Sequence, residues 1–156
     1  MSSPAAKVFL DTDCIMHLYS SDSGAKAAAM RELVDQVGTR NIVVSTQVLE
    51  EFCSLCLRQF SLPASTVLKA LSELLGAFRI SENDVETVIE AVWLSEQYNC
   101  SFNQAHILAT ALQAHCEYIY TENLPDGLIV EETLCVVNPF AAEQEKASEG
   151  SPKLAA

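Results

Sequence analysis

Short apolar runs alternate along this chain with longer stretches whose apolar residues recur every three or four positions, and the two periods predict alternating strands and helices. The first run, Val8-Phe9-Leu10, closes on Asp11-Thr12-Asp13, so a strand from about Lys7 to Asp11 brings carboxylates to its C-terminal end, and a helical turn follows from Cys14 to Tyr19. After a polar break that offers Ser23 as a cap, Ala25 to Val37 is rich in helix formers and ends at Gly38. Asn41-Ile42-Val43-Val44 is a second strand. Ser45 or Thr46 caps the next helix, where Val48, Leu49, Phe52, Leu55 and Cys56 keep helical spacing. Pro63 belongs to the first turn of a helix that runs through Leu75. Phe78-Arg79-Ile80 reads as a short strand. Ser81-Glu82-Asn83-Asp84 resembles a capping box that opens a helix to about Tyr98, with Val85, Val88, Ile89, Val92 and Trp93 on its inner face. Ser101 caps a helix from Phe102 to about His115, Glu117 to Thr121 and Leu134 to Val137 are further strands, and Asn138-Pro139 stops the last one.

This order of elements implies an α/β fold, a three-layer helix–sheet–helix sandwich with a mainly parallel central sheet. One domain is expected over residues 1–140, followed by an acidic, Ala-rich tail over 141–156 that lacks apolar periodicity and is expected to be disordered. A chain of 156 residues that is 49% hydrophobic carries enough apolar side chain for one core.

Charge changes the picture of partners. The formal net charge is -12, and all the imbalance lies between Ile80 and Glu145, where there are 12 Asp or Glu and no Lys or Arg; elsewhere 9 acids face 9 bases. Such a surface repels phosphate backbones unless a metal ion or a local basic patch intervenes, and it suits a basic protein partner. The six cysteines, Cys14, Cys53, Cys56, Cys100, Cys116 and Cys135, lie in apolar or helical segments and read as reduced buried thiols, which points to the cytoplasm. Cys53-x-x-Cys56 has no second pair for zinc and is read as core packing. No basic leader precedes a long apolar stretch and no apolar run approaches about 18 residues, so neither export nor a membrane span is expected.

Candidate chemistry gathers at strand ends, because ligands of open parallel sheets bind beyond the carboxyl ends of the strands. Asp11 has two readings that stay open, a site carboxylate or an ordinary N-cap of the next helix. On the helix after the second strand, about 100° per residue sets Glu50 nearly opposite the apolar stripe and Glu51 at its edge, so only Glu51 reaches a site above the core. Gln104 falls among apolar positions in the first turn of its helix and needs a hydrogen-bond partner, from nearby backbone or in a polar crevice. Glu122-Asn123 places polar groups at another strand end. His17, His106 and His115 are read as surface or core residues.

Val8-Phe9-Leu10-Asp11-Thr12, Val44-Ser45-Thr46-Gln47-Val48-Leu49-Glu50-Glu51-Phe52, Ser101-Phe102-Asn103-Gln104-Ala105, Tyr120-Thr121-Glu122-Asn123-Leu124 and Val136-Val137-Asn138-Pro139-Phe140 together resemble a PIN domain, closest to the VapC-like toxins of type II toxin–antitoxin pairs. The resemblance runs from about Lys7 to Phe140. It implies a cytoplasmic endoribonuclease whose carboxylates hold Mg²⁺ or Mn²⁺, a homodimer, an RNA substrate, and a small basic antitoxin-like partner. Asp11 matches the first acid and Glu51 the second, as catalytic and metal-binding residues. Gln104 and Asn123 stand where the third and fourth aspartates usually do. Two neutral amides make poorer partners for a hard dication, so weak metal binding is expected. Glu122 and Asp13 are further candidates to complete the metal set, although strand neighbours point to opposite faces, which weighs against Glu122. Thr121 matches a hydroxyl often found near the metal, and Thr12 is a second supporting residue. The alternative is a PIN fold that has lost catalysis and acts as a protein-binding module. Asp11-Thr12-Asp13 also resembles the aspartyl motif of haloacid-dehalogenase-like phosphatases, but that family needs a later lysine and no basic residue lies between Arg79 and Lys146.

Overall fold

The computed structural model describes residues 5–21 and 24–142. The expected cap at Ser23 and all but the first two residues of the expected tail lie outside the described residues. Strands β1 (Val8–Leu10), β2 (Ile42–Ser45), β3 (Arg79–Ser81), β4 (Tyr118–Tyr120), β5 (Ile129–Val130) and β6 (Leu134–Val137) form one sheet in the order β3-β2-β1-β4-β6-β5. Every pairing is parallel except that of the edge strand β5 with β6. Among the described residues there are six α-helices: α1 (Thr12–Tyr19), α2 (Ala25–Val37), α3 (Thr46–Ser54), α4 (Ala64–Ala77), α5 (Val85–Gln97) and α6 (Phe102–Gln113). Helix α1 packs on α2 and α3, and α5 packs on α6. With right-handed crossovers the two groups cover opposite faces of the sheet, the expected three layers.

The central strands are short and apolar throughout because both of their faces are covered. All three residues of β1 and all four of β2 are buried, and Phe9, Leu10, Ile15, Val44, Phe52, Leu108, Ile119 and Val136 form the middle of the core. All six cysteines are free. No helix among the described residues is long and apolar enough to cross a membrane.

Helix α5 corrects the sequence reading. Its apolar stripe was expected to face inward, yet Val85, Val88, Ile89, Val92 and Trp93 are 44–74% exposed, and Thr87, Ala91 and Leu94 are buried instead. The small Ala91 and Thr87 let α5 lie close against α6, and this close fit outweighs the burial of the bulkier side. The N-terminus also begins later than expected. Asp84 is the N-cap, paired with Thr87 in a capping box, while Ser81 ends β3. Past α3 the chain continues into a wider turn, Leu55–Gln59, which no simple periodicity signals.

Candidate functional site

The strand order reverses between β1 and β4, so connections leave β1 and its two neighbours on diverging paths and open a crevice at their C-terminal ends. Asp11 follows β1, Ser45 caps α3 directly after β2, and Thr121 follows β4. A cavity of about 450 Å³ there is lined by Asp11, Thr12, Glu51, Asn103, Gln104, Ile107 and Asn123. The two acids and the two amides singled out from the sequence therefore share one crevice.

Thr12 bridges the acids. Its backbone N–H donates to Asp11 Oδ1 at 2.6 Å, and its hydroxyl donates to Glu51 Oε2 at 2.7 Å. The buried Thr121 hydroxyl donates to the other Asp11 oxygen at 2.8 Å, and the Gln47 amide donates to Glu51 Oε1 at 3.1 Å. All four carboxylate oxygens are thus held by a donor, and each keeps a lone pair for a ligand. Asp11 is also the N-cap of α1, so its two sequence readings describe one residue in two roles. Burial, with smaller contributions from Asp13 and Glu51 and against the bonds from Thr121 and Thr12, pushes the Asp11 carboxyl up to about 6. Glu50 is exposed and does not line this crevice, although it reaches the rim of a neighbouring cavity that Glu51 also lines.

Asp13 and Glu122 do not line the crevice. Asp13 ties the end of β4 to α1: it accepts the Cys14 N–H at 2.7 Å and the Glu122 N–H at 2.8 Å, and burial raises its carboxyl above the usual value. Glu122 turns to α1 and α2, where Lys26 Nζ lies 2.7 Å and His17 Nε2 3.5 Å from its carboxylate. Burial alone would raise Glu122, but Lys26 and His17 bring it below the usual value.

The amide of Gln104 is spent at both ends. Its carbonyl accepts the Ser101 N–H at 3.0 Å in a capping box, and its NH₂ donates to the Asn123 carbonyl at 2.7 Å. Nearby backbone supplies the partners that an inward amide requires, and the group turned toward the end of β4 is a donor, which repels a cation. Asn123 is exposed at the rim, with its N–H on Thr121 Oγ1 at 3.1 Å.

Sequence reasoning missed Gln47, Asn83 and His106. These line a second cavity of about 420 Å³ that shares Glu51 and Asn103 with the first. Only Gln47 left a readable signal, its spacing four residues before Glu51 on one helix.

The oxygen ligands that line the crevice, two carboxylates with the Thr12 hydroxyl and the Asn123 amide beside them, are of the kind a hard divalent cation takes. Two acids are few for one, and no group of three or more His, Cys, Asp or Glu among the described residues is arranged to hold a metal ion.

A doubly wound α/β domain with acids gathered at its topological switch point is the class that fold and site define. The PIN domain family model matches residues 8–124, and the chain belongs to that family. Solved structures with the same fold include a toxin–antitoxin complex from Klebsiella pneumoniae, 19% identical with a TM-score of 0.66, covering 85% of this chain and 98% of that one. Another is VapC20 of Mycobacterium tuberculosis, a sarcin–ricin loop cleaving toxin, 19% identical with a TM-score of 0.60, covering 72% of this chain and 87% of that one. A third is VapBC2 of Rickettsia felis bound to a promoter DNA fragment, 17% identical with a TM-score of 0.59, covering 84% and 98%. No curated protein matches by sequence.

Proposed function

We propose that this PIN domain is a VapC-like, metal-dependent endoribonuclease whose acidic site is reduced to two carboxylates, Asp11 and Glu51. The observation that carries the reading is the pair itself, two acids of one crevice with every oxygen fixed by a donor and, among the described residues, no cationic side chain lining the crevice. Asp11 and Glu51 would hold Mg²⁺ or Mn²⁺, Thr12 and Thr121 would keep them in place, and Asn123 would offer its amide at the rim. The bound ion supplies an activated water and neutralises charge on the phosphate. Two carboxylates attract a dication less than four, so binding is weak. Mn²⁺-dependent cleavage of single-stranded RNA tests this: slow cleavage lost on Asp11→Asn is expected, and cleavage that survives Asp11→Asn would overturn it.

A second reading has its own observation. The committed amide of Gln104 makes the position of the third acid a structural clamp, as in a PIN fold kept for binding and not for catalysis. In either reading the acidic surface suits a small basic antitoxin-like protein, and the apolar outer face of α5 suits self-association as a homodimer in the cytoplasm.

A further inference from the structure

The second cavity holds a chain of hydrogen bonds whose directions are all fixed. Gln47 Nε2 approaches Glu51 Oε1 at 3.1 Å and the Asn103 carbonyl at 3.4 Å, and both of these only accept. Its NH₂ must therefore point at Glu51, which leaves its carbonyl oxygen facing Nδ1 of His106. A carbonyl accepts only, so Nδ1 carries the proton. From the other side, the backbone N–H of Gln47 donates to Asn83 Oδ1 at 3.4 Å, which fixes the Asn83 amide. The Asn83 NH₂ then donates to Thr110 Oγ1 at 2.6 Å and faces His106 Nε2 at 3.4 Å. The Thr110 hydroxyl passes its own proton to the His106 carbonyl at 2.9 Å. A proton on Nε2 would meet a donor, so the Gln47 and Asn83 links together place the ring proton on Nδ1, the tautomer less favoured by a free imidazole. Phe102 stacks on the ring, centroids 5.7 Å apart and planes 12° from parallel, and restrains its rotation.

We infer that His106, locked as the Nδ1–H tautomer, acts through Gln47 as a positioning residue for Glu51. This rests on the reading of Glu51 as a site carboxylate. Without a donor at His106 the Gln47 carbonyl loses its partner, and the amide is held only through its NH₂, by Glu51 and a long bond to the Asn103 carbonyl. Gln47 then fixes Glu51 Oε1 less firmly, and Glu51, repelled by the like charge of Asp11, keeps Thr12 as its remaining firm partner. Outer partners of this kind orient ligands to a metal, and their loss costs roughly tenfold or more in affinity.

Nitrogen-15 NMR of the full chain at neutral pH reads the tautomer directly. The expected result is protonated Nδ1 in the wild type, a shift toward protonated Nε2 in Gln47→Leu, and faster water exchange of the Gln47 side-chain amide in His106→Leu. His106→Gln, which can still donate to Gln47, should restore the slow exchange. Mn²⁺ titration should show about tenfold weaker binding in His106→Leu and recovery in His106→Gln. A wild-type ring protonated at Nε2, or Gln47 exchange unchanged by His106→Leu, overturns the relay. Equal Mn²⁺ affinity of the wild type and His106→Leu overturns the positioning role while the metal site stands. If the wild type binds no Mn²⁺, the proposed metal site fails, and the tautomer and exchange readings still decide whether the relay exists.

Discussion

Two pairs of acids lie within a few residues of the same strand ends, and they meet opposite fates. Asp11 and Glu51 face an open crevice and are held only by neutral donors, two threonines and an amide. Asp13 and Glu122 turn toward α1 and α2, where backbone N–H groups hold the first, and Lys26 and His17 the second. In the second pair Glu122 is already neutralised and Asp13 is already bonded to the backbone, and the first pair leaves its charge for something from outside. The carboxyl shifts set Asp11, pushed up to about 6, against Glu122, brought down by its cations, while Asp13, which has backbone N–H partners and, among the described residues, no cation, is raised by burial. Nearness to a strand end therefore does not make an acid available; what decides is whether the protein already turns it onto a cation, as with Glu122, or onto the backbone of a neighbouring element, as with Asp13.

Mn²⁺ affinity breaks the comparison most sharply. Asp11→Asn or Glu51→Gln should abolish measurable binding by calorimetry, whereas Glu122→Gln should leave it within about twofold, since its charge is taken up by Lys26. Equal losses in the two pairs would mean that the crevice is not the cation site.

Adding charge to the first pair is the next largest effect. Gln104→Asp with Asn123→Asp should raise Mn²⁺ affinity about tenfold or more and create or increase cleavage of single-stranded RNA. The same change should lower the metal-free melting temperature, because it adds like charges beside Asp11 and removes the bond from Gln104 to the Asn123 carbonyl. If neither protein cuts RNA and metal leaves the variant's melting temperature unchanged, the crevice is not a nuclease site and the binding-module reading stands.

Acidity separates Asp11 from Glu122 by sign. Asp11 has its folded value raised to about 6 from 3.8, so its contribution to stability is full below about pH 3.8 and is lost as pH rises through about 6. Glu122 is lowered from 4.5, so its contribution is present above that value and is lost as pH falls through the lower folded one. Urea unfolding should show Asp11→Asn flattening the loss between pH 4 and 6, by on the order of 2 kcal/mol, with Asp13 leaving a residual slope of the same sign. Glu122→Gln should instead flatten the fall below pH 4.5. A wild-type stability that rises from pH 4 to 6 would contradict the assignment of Asp11.

The smallest effect belongs to the neutralising cation. Lys26 lies 2.7 Å from Glu122 and 5.1 Å from the centre of the Phe140 ring, but its side chain is 37% exposed. Lys26→Met should cost less than about 1 kcal/mol in urea unfolding. A cost above about 2 kcal/mol would mean that the second pair is held together by this ion alone.

Much of this was legible in the chain itself, for reasons that differ by element. Strands β1 and β2 are buried on both faces, so Val8-Phe9-Leu10 and Ile42-Val43-Val44 are unbroken apolar runs. Glu51 was separable from Glu50 because a helix has a fixed angular step, whereas Asp11 stayed open between a site carboxylate and an N-cap, since a carboxylate after such a run serves either role, and here it is also the N-cap of α1. The face of α5 was misread because periodicity locates an apolar stripe without telling which side is covered, and close approach to α6 favoured Ala91 and Thr87 over Trp93 and Ile89. Strand β5 is two residues long, too short to show a period. The contact of His106 with Gln47 joins residues 59 apart on different helices, and no local pattern encodes such a meeting.

The outer face of α5 has a thermodynamic consequence. Any molecule that covers Val85, Ile89, Val92 and Trp93 in the folded chain, and ignores the unfolded one, adds to stability by mass action, about 2.7 kcal/mol when present at a hundred times its dissociation constant. With those side chains open to water the melting temperature is not a property of this chain alone. It belongs to the solution, and changes with how much of the covering surface, a second copy included, that solution contains.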